Sequence, residues 1–212
     1  MKRKKLIIII SSLAVVLLVV GIVFAYLTAR SNVENNITIG KNEIEVSEDF
    51  VPPVVQTTDT RYKKQISVAN TGNVDCYIRV YADFSDETIR ANSYFSNDTT
   101  AENAASAENY YSADRDSANS NAYINHLPDG WVFVPDDSSE ETKLAGYYYY
   151  TKPVSPEKST ENPLFTYVKT TYNKLDDVKQ YDIIVYAESV QTTDSNGNAY
   201  SDYKSAWNDF LK

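Results

Sequence analysis

The sequence predicts a mainly β protein: an antiparallel β-sandwich of jelly-roll or immunoglobulin-like type, with a short C-terminal helix and an N-terminal hydrophobic helix. Three observations predict it. Short runs with a side-chain period of two recur along the chain, bounded by Gly, Pro, Asn and Asp. Eighteen Tyr stand against seven Phe and two Trp, and Tyr favours strands and half-wet surfaces. Helical spacing is scarce after the first thirty residues, and no internal repeat is visible.

The N-terminal helix comes first. Lys2, Arg3, Lys4 and Lys5 precede an apolar run over residues 6–25, and the first acid is Glu34. A cationic head, an apolar middle and small residues near the end are the anatomy of an export signal, with Val23 and Ala25 fitting a cut between Ala25 and Tyr26. The same run reaches the roughly 20 residues that span a bilayer, so a retained anchor is the competing reading. A buried core helix is the bland one, disfavoured because a helix apolar all round has no partner face in so small a chain. The first two readings place everything after about Thr28 outside the cytoplasmic membrane. They divide the chain into a leader, 1–28, and one domain, 29–212.

The strands follow in order. Ile37 and Ile39 share one parity and Ile44 and Val46 the other, so Gly40-Lys41-Asn42 is expected to be a bulge or tight turn; Pro52-Pro53 then breaks the ladder. Gln65–Phe84 reads as a hairpin. Ile66 and Val68 alternate with polar neighbours, Asn70-Thr71-Gly72-Asn73 is the turn with Gly72 free to take positive φ, and Cys76, Ile78, Val80 and Ala82 face the core. Ser85–Asn125 is rich in Asn, Ser, Ala and Asp and reads as a surface insertion at about 85–128, with a short helix at Ala101–Asn109. Strands are expected at Trp131–Val134, Gly146–Thr151 and Leu164–Thr171, with Pro153 and Pro156 in a loop. Tyr181–Val190 is apolar on both faces and reads as a central, covered strand. Asp194–Asn198 is a turn, and Ser201 is placed to cap a helix whose stripe is Tyr203, Ala206, Trp207, Phe210 and Leu211. That stripe is expected to close one end of the sandwich.

Charge and cysteine narrow the function. The net charge is −9; with the four leader cations set aside, sixteen cations face twenty-nine acids, a balance of −13. So acidic a chain is a poor ligand for nucleic acid or an anionic membrane surface. Membrane contact is expected only through residues 6–25, if uncleaved. Cys76 is the single cysteine, so no intramolecular disulfide forms.

The segment Gly21–Thr28 (Gly-Ile-Val-Phe-Ala-Tyr-Leu-Thr) resembles the SipW-dependent signal peptides of Gram-positive bacteria, with Leu27 where an aromatic residue is usual. Asn70-Thr71-Gly72-Asn73-Val74-Asp75 before Tyr-Ile-Arg-Val resembles the hairpin of the TasA/camelysin family. Gly146–Tyr150, Pro163-Leu164-Phe165, the Tyr181–Gln191 strand and a helix with Ala206-Trp207 are similar to its later blocks. The resemblance covers most of the chain outside Ser85–Asn125. It implies a secreted jelly-roll protein of the cell surface or biofilm matrix, released by a SipW-type signal peptidase. TasA-like members polymerise into extracellular fibres by adding the freed N-terminal segment of one subunit, as a strand, to the next. The matching donor segment is Tyr26–Gly40, with Ile37 and Ile39 as anchors.

Camelysin carries a metallopeptidase label, which makes enzyme chemistry a fair test. A zinc site of imidazoles needs at least two His, and this chain has only His126, without a His-Glu-x-x-His or Gly-x-Ser-x-Gly motif. Asp136-Asp137, Glu140-Glu141 and Asp176-Asp177 are the carboxylate pairs, more often solvated loop charges than a glycosidase dyad. Asp194, Asn196 and Asn198 are a calcium candidate by their alternating oxygens, though the Gly and the closing Glu of a calcium loop are out of place. The expectation is therefore a non-enzyme without a cofactor: a structural subunit that self-associates into filaments. The alternatives are a monomeric adhesion or carbohydrate-binding module using exposed Tyr such as Tyr147–Tyr150, and a camelysin-like peptidase.

Overall fold

The computed structural model describes residues 40–53, 56–97, 110–115, 127–139 and 141–212. The chain divides at Ile39/Gly40, and everything described lies in the second unit, Gly40–Lys212. Ala25, Tyr26, Ile37, Ile39, the Ala101–Asn109 stretch and His126 lie outside the described residues. Among the described residues no helix is long and apolar enough to cross a membrane.

This unit is mainly β, with two antiparallel sheets. The strands are β1 (Ile44–Phe50), β2 (Asp59–Asn70), β3 (Cys76–Phe84), β4 (Ser93–Ser96), β5 (Tyr110–Ser112), β6 (Trp131–Val134), β7 (Tyr147–Val154), β8 (Phe165–Thr171) and β9 (Ile183–Gln191). One sheet has the order β1-β2-β8-β4-β5, the other β6-β7-β3-β9. The helices are α1 (Glu87–Ala91) and α2 (Tyr203–Phe210).

The period of two sorts each strand between two environments. Ile66 and Val68 of β2, Phe95 of β4 and Phe165 and Val168 of β8 meet Ile78 and Val80 of β3 and Tyr148 and Tyr150 of β7 in one core shared by both sheets. Phe95 stacks on Phe165 with centroids 4.2 Å apart. The opposite parity of β3 and β7 is only partly open to water. Tyr77 and Tyr149 join Val134, Leu144, Val190, Ala206 and Trp207 in a second cluster beneath α2. The helix thus lies on the outer face of the four-stranded sheet, where the sequence had suggested it would close an end. Its cap is Asp202, not Ser201: the Asp202 carboxylate accepts from Ser205 N at 2.8 Å, and the Ser205 hydroxyl accepts from Asp202 N.

Five further expectations are corrected. Asn70–Asn73 does not close a hairpin, because β2 and β3 belong to different sheets; the loop carries the chain from one to the other. Gly72 is not among the positive-φ glycines. It is required because a Cβ there would stand 2.2 Å from Lys41 O. Tyr181–Val190 is not a central strand: β9 is an edge, with Ile184 and Tyr186 exposed, and β3 and β7 are the covered ones. The 85–128 stretch is not wholly a surface insertion either. Its described parts include α1, β4 and β5, and they bury Ile89, Phe95 and Tyr111 in the core. A composition rich in Asn and Ser hid this, since a few well-spaced aromatics suffice to pin short strands. Pro153 sits inside β7 and not in a loop. It lies past the Tyr147–Tyr150 stretch that pairs with β6, where a missing N–H breaks no bond on that side.

Candidate functional site

The sheets' first and last strands, β1 and β9, are both edges on one side of the unit. They run antiparallel to each other across a gap. At one end Asn42 Nδ2 donates to Ser189 O at 2.9 Å, and Ser189 Oγ donates to Asn42 Oδ1 at 2.9 Å. At the other end a cleft of about 240 Å³ opens among Phe50, Pro53, Gln56, Tyr62, Tyr181 and Ile183. Ile44 and Val46 of β1 and Ile183, Val185 and Ala187 of β9 pack inward against the core along the gap.

Backbone polarity follows from alternation. Glu43 O accepts from Thr71 N and Gly72 N, and Val51 N donates to Lys63 O, so the odd residues of β1 face β2. Ile44, Val46, Glu48 and Phe50 therefore turn their N–H and C=O groups outward, away from the sheet. An edge of seven residues is a template for another strand unless something blocks it.

The Asn70–Asn73 loop roots this edge. Besides the two bonds to Glu43 O, Asn73 N donates to Lys41 O at 2.9 Å and Lys41 N donates to Asn73 Oδ1. Asn70 is fully buried and satisfied: its amide donates to Val74 O and Val154 O, and its Oδ1 accepts from Gly72 N. The residues singled out in the sequence as a turn thus clamp 41–43 at the start of β1.

The cleft holds ionisable groups with defined partners. Lys64 is buried on the inward side of β2, donates to Glu48 Oε1 at 2.6 Å and lies 5.0 Å from the Phe50 ring centroid. Tyr62 and Tyr181 share a hydroxyl bond of 2.8 Å, Tyr181 meets Thr170 Oγ1 at 3.0 Å, and Thr170 meets Ser93 Oγ at 3.1 Å. Burial first, then its neighbour Tyr181, pushes the Tyr62 phenol far up, so it stays neutral. This row of hydroxyls ties the segment leading into β9 to the opposite sheet.

The other sequence candidates are placed as follows. Asp194 Oδ1 accepts from Asn196 N and Asn198 N at 2.8 Å each, and Oδ2 accepts from Asn198 Nδ2 at 3.0 Å. These bonds, chiefly those of Asn198, hold its carboxyl below the ordinary value. Both Asp194 oxygens, expected to face calcium, thus accept from the loop's own donors. Among the described residues no three His, Cys, Asp or Glu side chains stand together as a metal site. Cys76 is buried and its thiol is pushed up to about 12 by desolvation, then by Asp75. Of the carboxylate pairs, Asp136 is bound bidentately by Arg115, Glu141 pairs with Lys204, and Asp177 lies near Lys174. Of the Tyr147–Tyr150 run, the last three are buried and only Tyr147 is partly open.

Sequence reasoning missed the outer-face arginines. Arg79 lies between the rings of Tyr147 and Trp207, at 4.0 and 4.2 Å, and reaches Glu188. Arg115 lies 4.3 Å from the Tyr81 centroid and donates to Asp136, Ala82 O and Gly146 O. The alternation of β3 assigned Arg79 to the outward face. Only the position of α2 makes that face buried. No family model matches the chain, and no curated protein matches it.

Proposed function

We propose that this chain is an exported, non-enzymatic structural subunit whose body is a β-sandwich of jelly-roll or immunoglobulin-like type. It assembles when the N-terminal segment of one copy, about 26–40, adds as a strand to the β1 edge of the next. The observation that carries the reading is that edge. Alternate backbone groups from Ile44 to Phe50 point outward beside an apolar-walled gap, and two Ile spaced by two, Ile37 and Ile39, would suit the gap. The leader's composition and the resemblance to the TasA/camelysin family support export and fibre formation. A head-to-tail contact of this kind does not close on itself, so it makes filaments.

The test is electron microscopy of the purified mature chain beside two variants, with N-terminal sequencing of the same sample. The expected result is filaments from the mature chain, none after deletion of 26–40, and none from Val46→Pro. Proline at 46 removes an outward N–H without breaking a bond to β2, and circular dichroism of the variant checks that the body, which loses the Val46 side chain from the core, still folds. Monodisperse monomer from the mature chain overturns the reading; filaments from Val46→Pro overturn the choice of edge.

A further inference from the structure

On the outer face of the four-stranded sheet, α2 covers the half around Tyr77, Tyr149 and Val190. The other half presents a tyrosine whose two sides differ. One face of Tyr186 stacks on Tyr81, with centroids 4.9 Å apart and planes inclined by 16°. Its hydroxyl meets the Tyr147 hydroxyl at 3.2 Å. The far side of Tyr81 is taken by Arg115. β9 is the last strand of its sheet, so the second face of Tyr186 looks past the edge, and the residue is 42% exposed.

Two positions along the same face stands Glu188. Arg79 holds it through Oε2 alone, at 2.7 Å from Nε and 2.6 Å from a terminal nitrogen. Oε1 accepts nothing among the described residues. The spacing from Tyr186 to Glu188 is about 7 Å along a strand, close to the length of one sugar ring. On the other side Ile184 offers an exposed apolar flank. A rigid ring with one open face, next to an oriented free acceptor, is what a pyranose needs: its C–H face packs on the phenol and its hydroxyls donate to the carboxylate.

Local charge decides which sugar. Arg79 is matched by Glu188, Arg115 by Asp136, and Arg90 by Asp83. Three guanidinium groups face three carboxylates, so a charged partner gains nothing from the patch as a whole. We infer that the open face of Tyr186, with Glu188 and Ile184, binds a pyranose ring of a neutral oligosaccharide. The site does not rest on the fibre reading: Ile184, Tyr186 and Glu188 share the outer face of β9, whereas Ile183, Val185 and Ala187 pack inward along the gap.

The experiment is saturation-transfer and chemical-shift NMR on the full chain with cellohexaose and chitohexaose. The expected result is transfer to sugar C–H protons from at least one of them, with protein shifts centred on Tyr186 and an affinity unchanged by added salt. Tyr186→Phe retains binding. Tyr186→Ala weakens it by about tenfold or more, the loss of one stacking contact. The mapping on unaltered protein stands even if that variant folds poorly. Absence of transfer from both sugars, shifts centred elsewhere, full affinity in a folded Tyr186→Ala, or a preference for an anionic hexasaccharide would each overturn the inference.

Discussion

β3 and β9 are neighbours matched residue for residue, from Cys76–Gln191 to Phe84–Ile183. Both alternate aliphatic residues with aromatic or charged ones. Yet β3 is buried on nearly every position, while β9 is half open along most of its length. The difference is place. β3 has a strand on each side and α2 above part of its outer face; β9 has one strand neighbour and an edge. Alternation therefore encodes which face a residue takes, and says nothing about how many strands or helices will cover that face.

The sharpest way to break this comparison is to remove the cover. Trp207→Ala should cost ~3–5 kcal/mol in chemical denaturation, because it empties a fully buried site over β3. Tyr186→Ala on β9 should cost under about 1 kcal/mol, as surface changes do. Equal losses would mean that the burial difference has no energetic weight.

The ion pair that joins the two strands sharpens the point. Arg79 is buried and Glu188 is partly open, so the pair is asymmetric. Glu188→Gln leaves a buried guanidinium without its counter-charge and should cost about 3 kcal/mol. Arg79→Met leaves a carboxylate that water can reach and fills the slot between Tyr147 and Trp207, so its cost should be about 1 kcal/mol. Thermal melts at low and high salt would check the order; the reverse order breaks it.

The turns leading into β3 and out of β9 differ in the same sense. Gly72→Ala forces a methyl to within 2.2 Å of Lys41 O and should cost about 2–3 kcal/mol, measurable in urea. Gly197 has φ +83° but nothing within 4 Å, so Gly197→Ala should cost only about 1 kcal/mol, the intrinsic penalty of that backbone region.

The smallest expected effect concerns pH. The Ser205 backbone N–H, then its hydroxyl, holds the Asp202 carboxyl below its ordinary 3.8. A group depressed on folding adds stability that is full above its unfolded value and fades as pH falls through its folded one. Between pH 5 and 8 the cap is constant; below about pH 4 α2 should loosen, read as a change in Trp207 emission. Asp202→Ala should abolish that acid-dependent step and lower stability by about 1 kcal/mol at neutral pH.

The sequence carried several elements to within a few residues. Trp131–Val134 and the strands near 147, 165 and 183 are bounded by Gly, Pro or Asp and alternate cleanly, so their positions were legible. β4 and β5 were not, because strands of four and three residues are too short to show a period and are held by Phe95 and Tyr111 reaching the core. The edge at β1 was legible in part. Ile44 and Val46 marked a strand, but nothing in them marked its outer side as open. The Asn70–Asn73 loop was visible as a turn and its destination was not, since a loop that returns to its own sheet and one that crosses between sheets use the same residues.

By itself the sequence determined the strand-rich class, the acidic surface, the inward parity of Cys76, Ile78 and Val80, and the amphipathic helix at the C-terminus. These follow from local periodicity and composition, which act over a few residues. Only the tertiary structure decided that β2 and β3 lie in different sheets, that β9 is an edge with an open Tyr186, and that Arg79 is enclosed by Tyr147 and Trp207. Each of these depends on contacts between residues far apart in the chain. Such contacts are set by how the two sheets and α2 pack together, and no local pattern contains that order.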